Sequence, residues 1–203
     1  MTVLKYLLVA LTLLQPCLTP AQQETGLSVT YTPEAAIIGA ADRALIQTLA
    51  LECEARVREL LPDLPGQITI EVSAVDWDLQ VVGGVSGRSD AHQPEGRIVV
   101  WISTRYTGGI GTAIKDGLPS TLYHEFHHLA RGWTMEGNRY GPGIPIAAVN
   151  EGLAVVFAED LTGFAAEGNG YPPEVSGWVE EILALPISAD YGQWVSGVHP
   201  DGR

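Results

Sequence analysis

The stretch Tyr123-His124-Glu125-Phe126-His127-His128 holds three of the chain's five histidines. His124 and His128 stand four residues apart, about one helical turn, so on a helix both imidazoles leave the same face and can close on a single ion. Two neutral imidazoles hold a zinc ion without cancelling its charge, which leaves it a good Lewis acid. Glu125 follows the first histidine and points beside such an ion rather than at it. A carboxylate placed there can take a proton from an attacking water.

H-E-x-x-H on a helix is a metallopeptidase signature, and this composition yields it by chance in roughly 1% of shuffled sequences. A hydrolytic zinc site needs a third protein ligand and an open fourth position. The run from Ile144 to Ala158, IPIAAVNEGLAVVFA, has Glu151 as its one ionisable residue. A lone carboxylate in so apolar a helix is costly unless it meets a cation or is protonated. Glu151 lies 23 residues beyond His128, room for a loop and a reversal that face two helices across an ion. The expected site is therefore His124, His128 and Glu151 as metal ligands for one Zn²⁺, with Glu125 as the catalytic acid/base. The competing reading is a surface histidine cluster with a buried, protonated Glu151.

These residues resemble a known family, the predicted zinc-dependent proteases filed as domain of unknown function 2268, of the broader gluzincin type. The likeness rests on His124-Glu125-Phe126-His127-His128 and Asn150-Glu151-Gly152-Leu153-Ala154, and more loosely on Gly83-Gly84-Val85-Ser86-Gly87 ahead of a strand. It implies a zincin-like domain in which His124, His128 and Glu151 match the zinc ligands and Glu125 the acid/base. One departure stands out. Many gluzincins have an acidic residue four positions after the ligand glutamate, and here that position is Val155, which leaves the partner of the ligand histidines unassigned. Family members also continue beyond a segment like Gln193-Trp194-Val195-Ser196-Gly197, which suggests a shortened C-terminus.

The elements that must position these groups are legible in the pattern. Ile37, Ala41, Leu45, Leu49, Cys53, Val57 and Leu61 recur every four residues after Pro33, predicting one long amphipathic helix. Residues 67–75 alternate apolar and polar, predicting a strand with one buried face, and residues 97–103 supply another. Asp116-Gly117-Leu118-Pro119 reads as the start of the histidine-bearing helix and Gly132 as its stop. Within it Leu118, Leu122, Phe126 and Leu129 form an apolar stripe, with Thr121, His124 and His128 on another face. A helix over residues 146–161 closes at Gly163, and a last one runs over 174–185 with Val175, Trp178, Val179 and Ile182 inward. The expected class is α+β, a small mixed or antiparallel sheet packed against the active-site helix and further helices.

Bulk properties narrow the rest. The 203 residues suit one domain, and 46% apolar content supports a sizeable core. Lys5, the apolar run from Tyr6 to Leu14, and small residues ending at Ala21 describe a signal peptide over residues 1–21, too short in its apolar part to span a bilayer. The single domain is then residues 22–203, with an exported, periplasmic or extracellular location. Cys17 sits where a lipid anchor would attach, but Pro16 disfavours acylation. Removing residues 1–21 takes away Lys5 and no acid, leaving 10 basic against 24 acidic side chains and a net charge of about −14. Nucleic acid is excluded as a partner on that sign. Cys53 would then stand alone and reads as a buried core residue.

The leading expectation is an exported zinc-dependent hydrolase acting on a peptide or protein. The rival is a non-catalytic binding or chaperone-like module with a structural or vestigial metal. A third reading is an iron site of two histidines and one carboxylate. Oxyanion donors stay open among Arg131, Tyr140, Tyr171, Tyr191 and His199. His127 is expected to face solvent or support a ligand, His92 to be solvated and Trp101 to pack. A sheet edge at residues 81–86 or 98–103 could take an extended peptide as an added strand.

Overall fold

A computed structural model of the protein describes residues 26–90, 95–131, 143–165 and 173–190. The elements in order are β1 (Gly26–Tyr31), α1 (Ala40–Leu60), β2 (Gln67–Val75), β3 (Val85–Asp90), β4 (Gly96–Ser103), α2 (Ile110–Ala130), α3 (Ile144–Thr162) and α4 (Val175–Leu183). The class is α+β, as the order of helix and strand patterns implies.

The four strands pair in the order β1-β2-β4-β3. β1 with β2 and β2 with β4 are parallel, whereas β3 runs antiparallel to β4 and forms the edge beside the site. Alternation sets the faces: Ile68, Ile70 and Val72 of β2 and Ile98, Val100 and Ile102 of β4 point into the core, where they meet Leu118, Leu122 and Phe126 of α2. On the other face Glu71 and Arg97 pair across the strands at 3.0 Å. Trp101 packs at 5.6 Å from Trp77, as expected of it.

Several elements differ from the sequence pattern. β1 is not among the strands expected from the pattern; it sits at the sheet margin with Leu27, Val29 and Tyr31 only partly buried. The long first helix is interrupted: a 3-10 turn, Pro33–Ile37, precedes α1, and Arg43 holds the break by donating to the carbonyls of Ile38 and Ala35 at 3.0 and 2.8 Å. Its buried face is Ile46, Ala50, Cys53 and Val57. A strict four-residue step gains about 40° per step on a helix of 3.6 residues per turn, so Ala41 has rotated out to solvent, while Ile37 lies exposed in the 3-10 turn before α1.

The histidine-bearing helix starts at Ile110, well before Asp116, and carries Pro119 inside it. Gly117 is a packing glycine, not a boundary. A Cβ there would lie 2.5 Å from the carbonyl oxygen of Gly83, itself at φ +75°, so the two glycines let α2 lie against the chain that leads into β3. On α4, Val175 and Ile182 are half-buried but Trp178 and Val179 are exposed, contrary to the inward stripe expected. Cys53 is buried as expected. The signal peptide, Cys17, His92 and the segment 193–197 lie outside the described residues. Among the described residues no helix is long and apolar enough to cross a membrane.

Candidate metal centre

α2 presents His124, Glu125 and His128 near its C-terminal end, and α3, packed against it, presents Glu151 in its second turn. The three expected ligands converge. His124 Nε2 lies 3.0 Å from His128 Nε2 and 3.2 Å from Glu151 Oε2, and His128 Nε2 lies 3.4 Å from the same oxygen. These separations test whether a zinc ion fits. A tetrahedral ion with bonds of about 2.0–2.1 Å separates its ligand atoms by about 3.3 Å, so the triangle has the size of one face of that tetrahedron. Two imidazole nitrogens and one carboxylate oxygen are also the donor set of a hydrolytic zinc site.

Electrostatics agree with the geometry. Burial would raise the pKa of Glu151, but hydrogen bonds from His124 and His128 outweigh it and hold the carboxyl down at about 2. Burial would lower His124, yet the bond to Glu151 and the charge of Glu125 leave it above its ordinary value. The Glu151 side chain keeps 37% of its surface exposed, so the desolvation cost inferred from its apolar neighbours is smaller than the sequence suggests. What fixes the carboxylate is the imidazole pair.

Glu125 is buried. That burial raises its pKa, against the nearby imidazoles and a bond donated by the Ser89 backbone N–H. A carboxyl with raised affinity for protons, anchored by a strand, suits proton transfer better than an ordinary surface glutamate. Gly87 explains how β3 comes so close. A Cβ at Gly87 would sit 2.7 Å from the Thr121 methyl and 2.9 Å from Glu125 Cγ, and Thr121 Oγ1 donates to the Val85 carbonyl at 3.3 Å. Gly83, Gly84 and Gly87 thus seat the edge strand on the helix that carries the site.

Some expectations need correction. His127 is buried, not solvent-facing, because α3 covers that side of α2 and Phe157 lies 5.3 Å from its ring. Burial, then the neighbouring His128 and Arg131, lowers its pKa to about 4. Of the two sheet edges considered, residues 98–103 lie in β4, flanked by β2 and β3, and residues 81–86 enter the edge strand β3 only at Val85 and Ser86, so among the described residues β3, over Val85–Asp90, is the edge beside the site. Arg131 caps the end of α2 and lines neither cavity at the site; Tyr140, Tyr171, Tyr191 and His199 lie outside the described residues.

A cavity of about 390 Å³ opens over the triad, bounded by Gly87, Arg88, Ser89 and Asp90 of β3 and by His124, Glu125, His128 and Glu151. A second, of about 230 Å³, shares Gly87, His124 and Glu125 and runs toward Val155 and Phe164. Neither the β3 wall nor Phe164 could be assigned to the site from spacing, since both depend on how separate elements pack. Only the paired glycines hinted at a close approach. Comparison with known protein families, with curated proteins and with solved structures finds no match to this chain.

Proposed function

We propose that the protein is a zinc-dependent hydrolase, with a peptide or protein as substrate. The observation that carries this reading is the triangle of His124, His128 and Glu151 ligand atoms at 3.0–3.4 Å, with Glu125 beside it. A zinc ion held there would polarise a carbonyl and lower the pKa of a water toward ~7. Glu125 then accepts the proton of the attacking water at its carboxylate and passes it to the leaving amine. β3 lies along the cavity as an edge strand, and its outer main-chain groups, apart from the Val85 carbonyl and Ser89 N–H that Thr121 and Glu125 engage, would pair with an extended substrate. The apolar start of the chain supports export before the enzyme acts.

The resemblance to the gluzincin type favours the same roles, with Val155 in place of the usual acidic residue. Here Val155 faces the second cavity, so that position shapes a wall instead of orienting a histidine. Digestion of a peptide library by the full chain, with and without chelator, tests the reading alongside zinc analysis. Chelator-sensitive cleavage with about one zinc per chain is the expected outcome. Stoichiometric zinc with no cleavage would favour the binding module, and retention of iron in place of zinc would favour oxygen chemistry.

A further inference from the structure

The second cavity has a composition that the proton-transfer chemistry does not use. Val82 and Val85, before and in β3, and Val155, Ala158 and Phe164, from α3 and its end, give it an apolar surface, with the hydroxyls of Ser86, Ser120 and Thr121 beside it. Gly163, at φ +69°, turns the chain after α3, and the tip of the Phe164 ring comes within 3.0 Å of the point a Gly83 Cβ would occupy. That contact joins the end of α3 to the approach of β3 and closes one side of the cavity. Among the described residues, the one ionisable wall residue besides His124 and Glu125 is Glu159. It lies eight residues beyond Glu151 on α3, about 12 Å along the helix axis.

We infer that this cavity selects substrates carrying a lysine or arginine next to the scissile bond, with Glu159 receiving the cationic tip. The inference rests on the hydrolase reading above. The shared residues His124 and Glu125 place the mouth at the reacting atoms, so a substrate side chain entering it starts beside the scissile bond. Its stem meets valine, alanine and phenylalanine surface, which a methylene chain covers well. Its end must reach a carboxylate about two helical turns beyond Glu151, which a short side chain cannot do. Among the described residues no lysine or arginine lines the cavity, so an acidic side chain would meet the like charge of Glu159.

The test uses the full chain loaded with zinc and three acetylated amino-acid hydroxamates, those of arginine, norleucine and glutamate, with binding measured by calorimetry. The hydroxamate group engages the metal equally in all three, so the side chain decides the ranking. The arginine compound is expected to bind about tenfold or more tightly than norleucine, the scale of one hydrogen bond to a charged group, and glutamate weakest. Glu159→Gln should bring the arginine-to-norleucine ratio close to one, and Glu159→Lys should favour the glutamate compound. Thermal melts of both variants check that they are folded. Equal affinities in the unmodified chain, or a ratio that Glu159→Gln leaves intact, would overturn the inference while the metal reading stands. Zinc retained with no hydroxamate bound would also overturn it, whereas failure to retain zinc would remove the hydrolase reading itself.

Discussion

Helix α2 is packed against α1, β3, β4 and α3, and eleven of its residues are buried; α3 leans mainly on α2 and α4, and only Ile144, Ala147, Ala154 and Ala158 are buried. Ile146, Val149, Leu153 and Val156 of α3 remain about half exposed. The two helices share the site, yet they share it unequally. His124, His128 and Glu125 are fixed by the core around Leu122 and Phe126 before any ion binds. Glu151 is fixed only as well as α3 is seated, through small alanines that allow close approach but bury little area. A cation joining all three ligands therefore does most of its structural work on α3.

The strongest way to break this comparison is to remove a ligand from each side. His128→Ala and Glu151→Ala should each abolish zinc retention and turnover, read by metal analysis and peptide digestion. They should differ in their effect without metal, since Glu151→Ala deletes a half-exposed group and His128→Ala a buried one. Zinc added to the unmodified chain should slow amide exchange across Ile144–Thr162 far more than across Ile110–Ala130, by the linkage that stabilises whichever state binds the ion. Equal protection in the two helices would show that α3 is already as firmly seated as α2.

Next in size is Glu125→Gln. It keeps the shape of the buried side chain but removes its proton-accepting oxygen, so zinc content should stay near one per chain while turnover falls by about 10²–10⁴. Full activity in that variant would assign the acid/base to another group. The contrast with His128→Ala, which loses both metal and turnover, separates the two roles on one helix.

The same inequality explains what the sequence made legible. Ligands four residues apart on one helix are fixed by helical geometry, so His124 and His128 could be paired from spacing, and Glu151 stood out as a lone charge in an apolar run. Strand β2 followed from alternation and β4 from its apolar run. What depended on packing between distant elements stayed hidden. His127 looked solvent-facing because nothing in α2 shows that α3 covers it, although the scarcity of charge around the whole helix was a usable sign. Gly117 and Pro119 looked like boundaries because local rules cannot tell a glycine that ends a helix from one that admits a neighbouring backbone. Glu159 and Phe164 carry no motif: Glu159 meets the site through the packing of α3, and Phe164 through the turn at Gly163.

Stability offers a third, smaller contrast. Phe126→Ala removes a fully buried ring between the sheet and α2 and should cost about 3–5 kcal/mol in denaturant unfolding. Leu153→Ala, on the 47%-exposed stripe of α3, should change stability by no more than about 0.5 kcal/mol. A large loss at Leu153 would mean that this stripe is covered in solution.

The smallest effect concerns where α1 meets α2. Burial pushes the Cys53 thiol up to about 11, against a hydrogen bond with Tyr123, and burial together with the neighbouring Cys53 pushes the Tyr123 phenol up to about 12. Both groups are neutral when protonated, so the folded chain keeps protons that the unfolded chain releases first. Stability from Cys53 is fully present below its ordinary value near 9 and is lost as pH rises through about 11. Over that window unfolding should become easier by roughly 1–3 kcal/mol from the thiol, with a lesser share from the more exposed phenol. Cys53→Ala should flatten the decline measured by urea unfolding at stepped pH. An unchanged slope would assign the alkaline sensitivity to other groups and leave the Cys53–Tyr123 contact as packing alone.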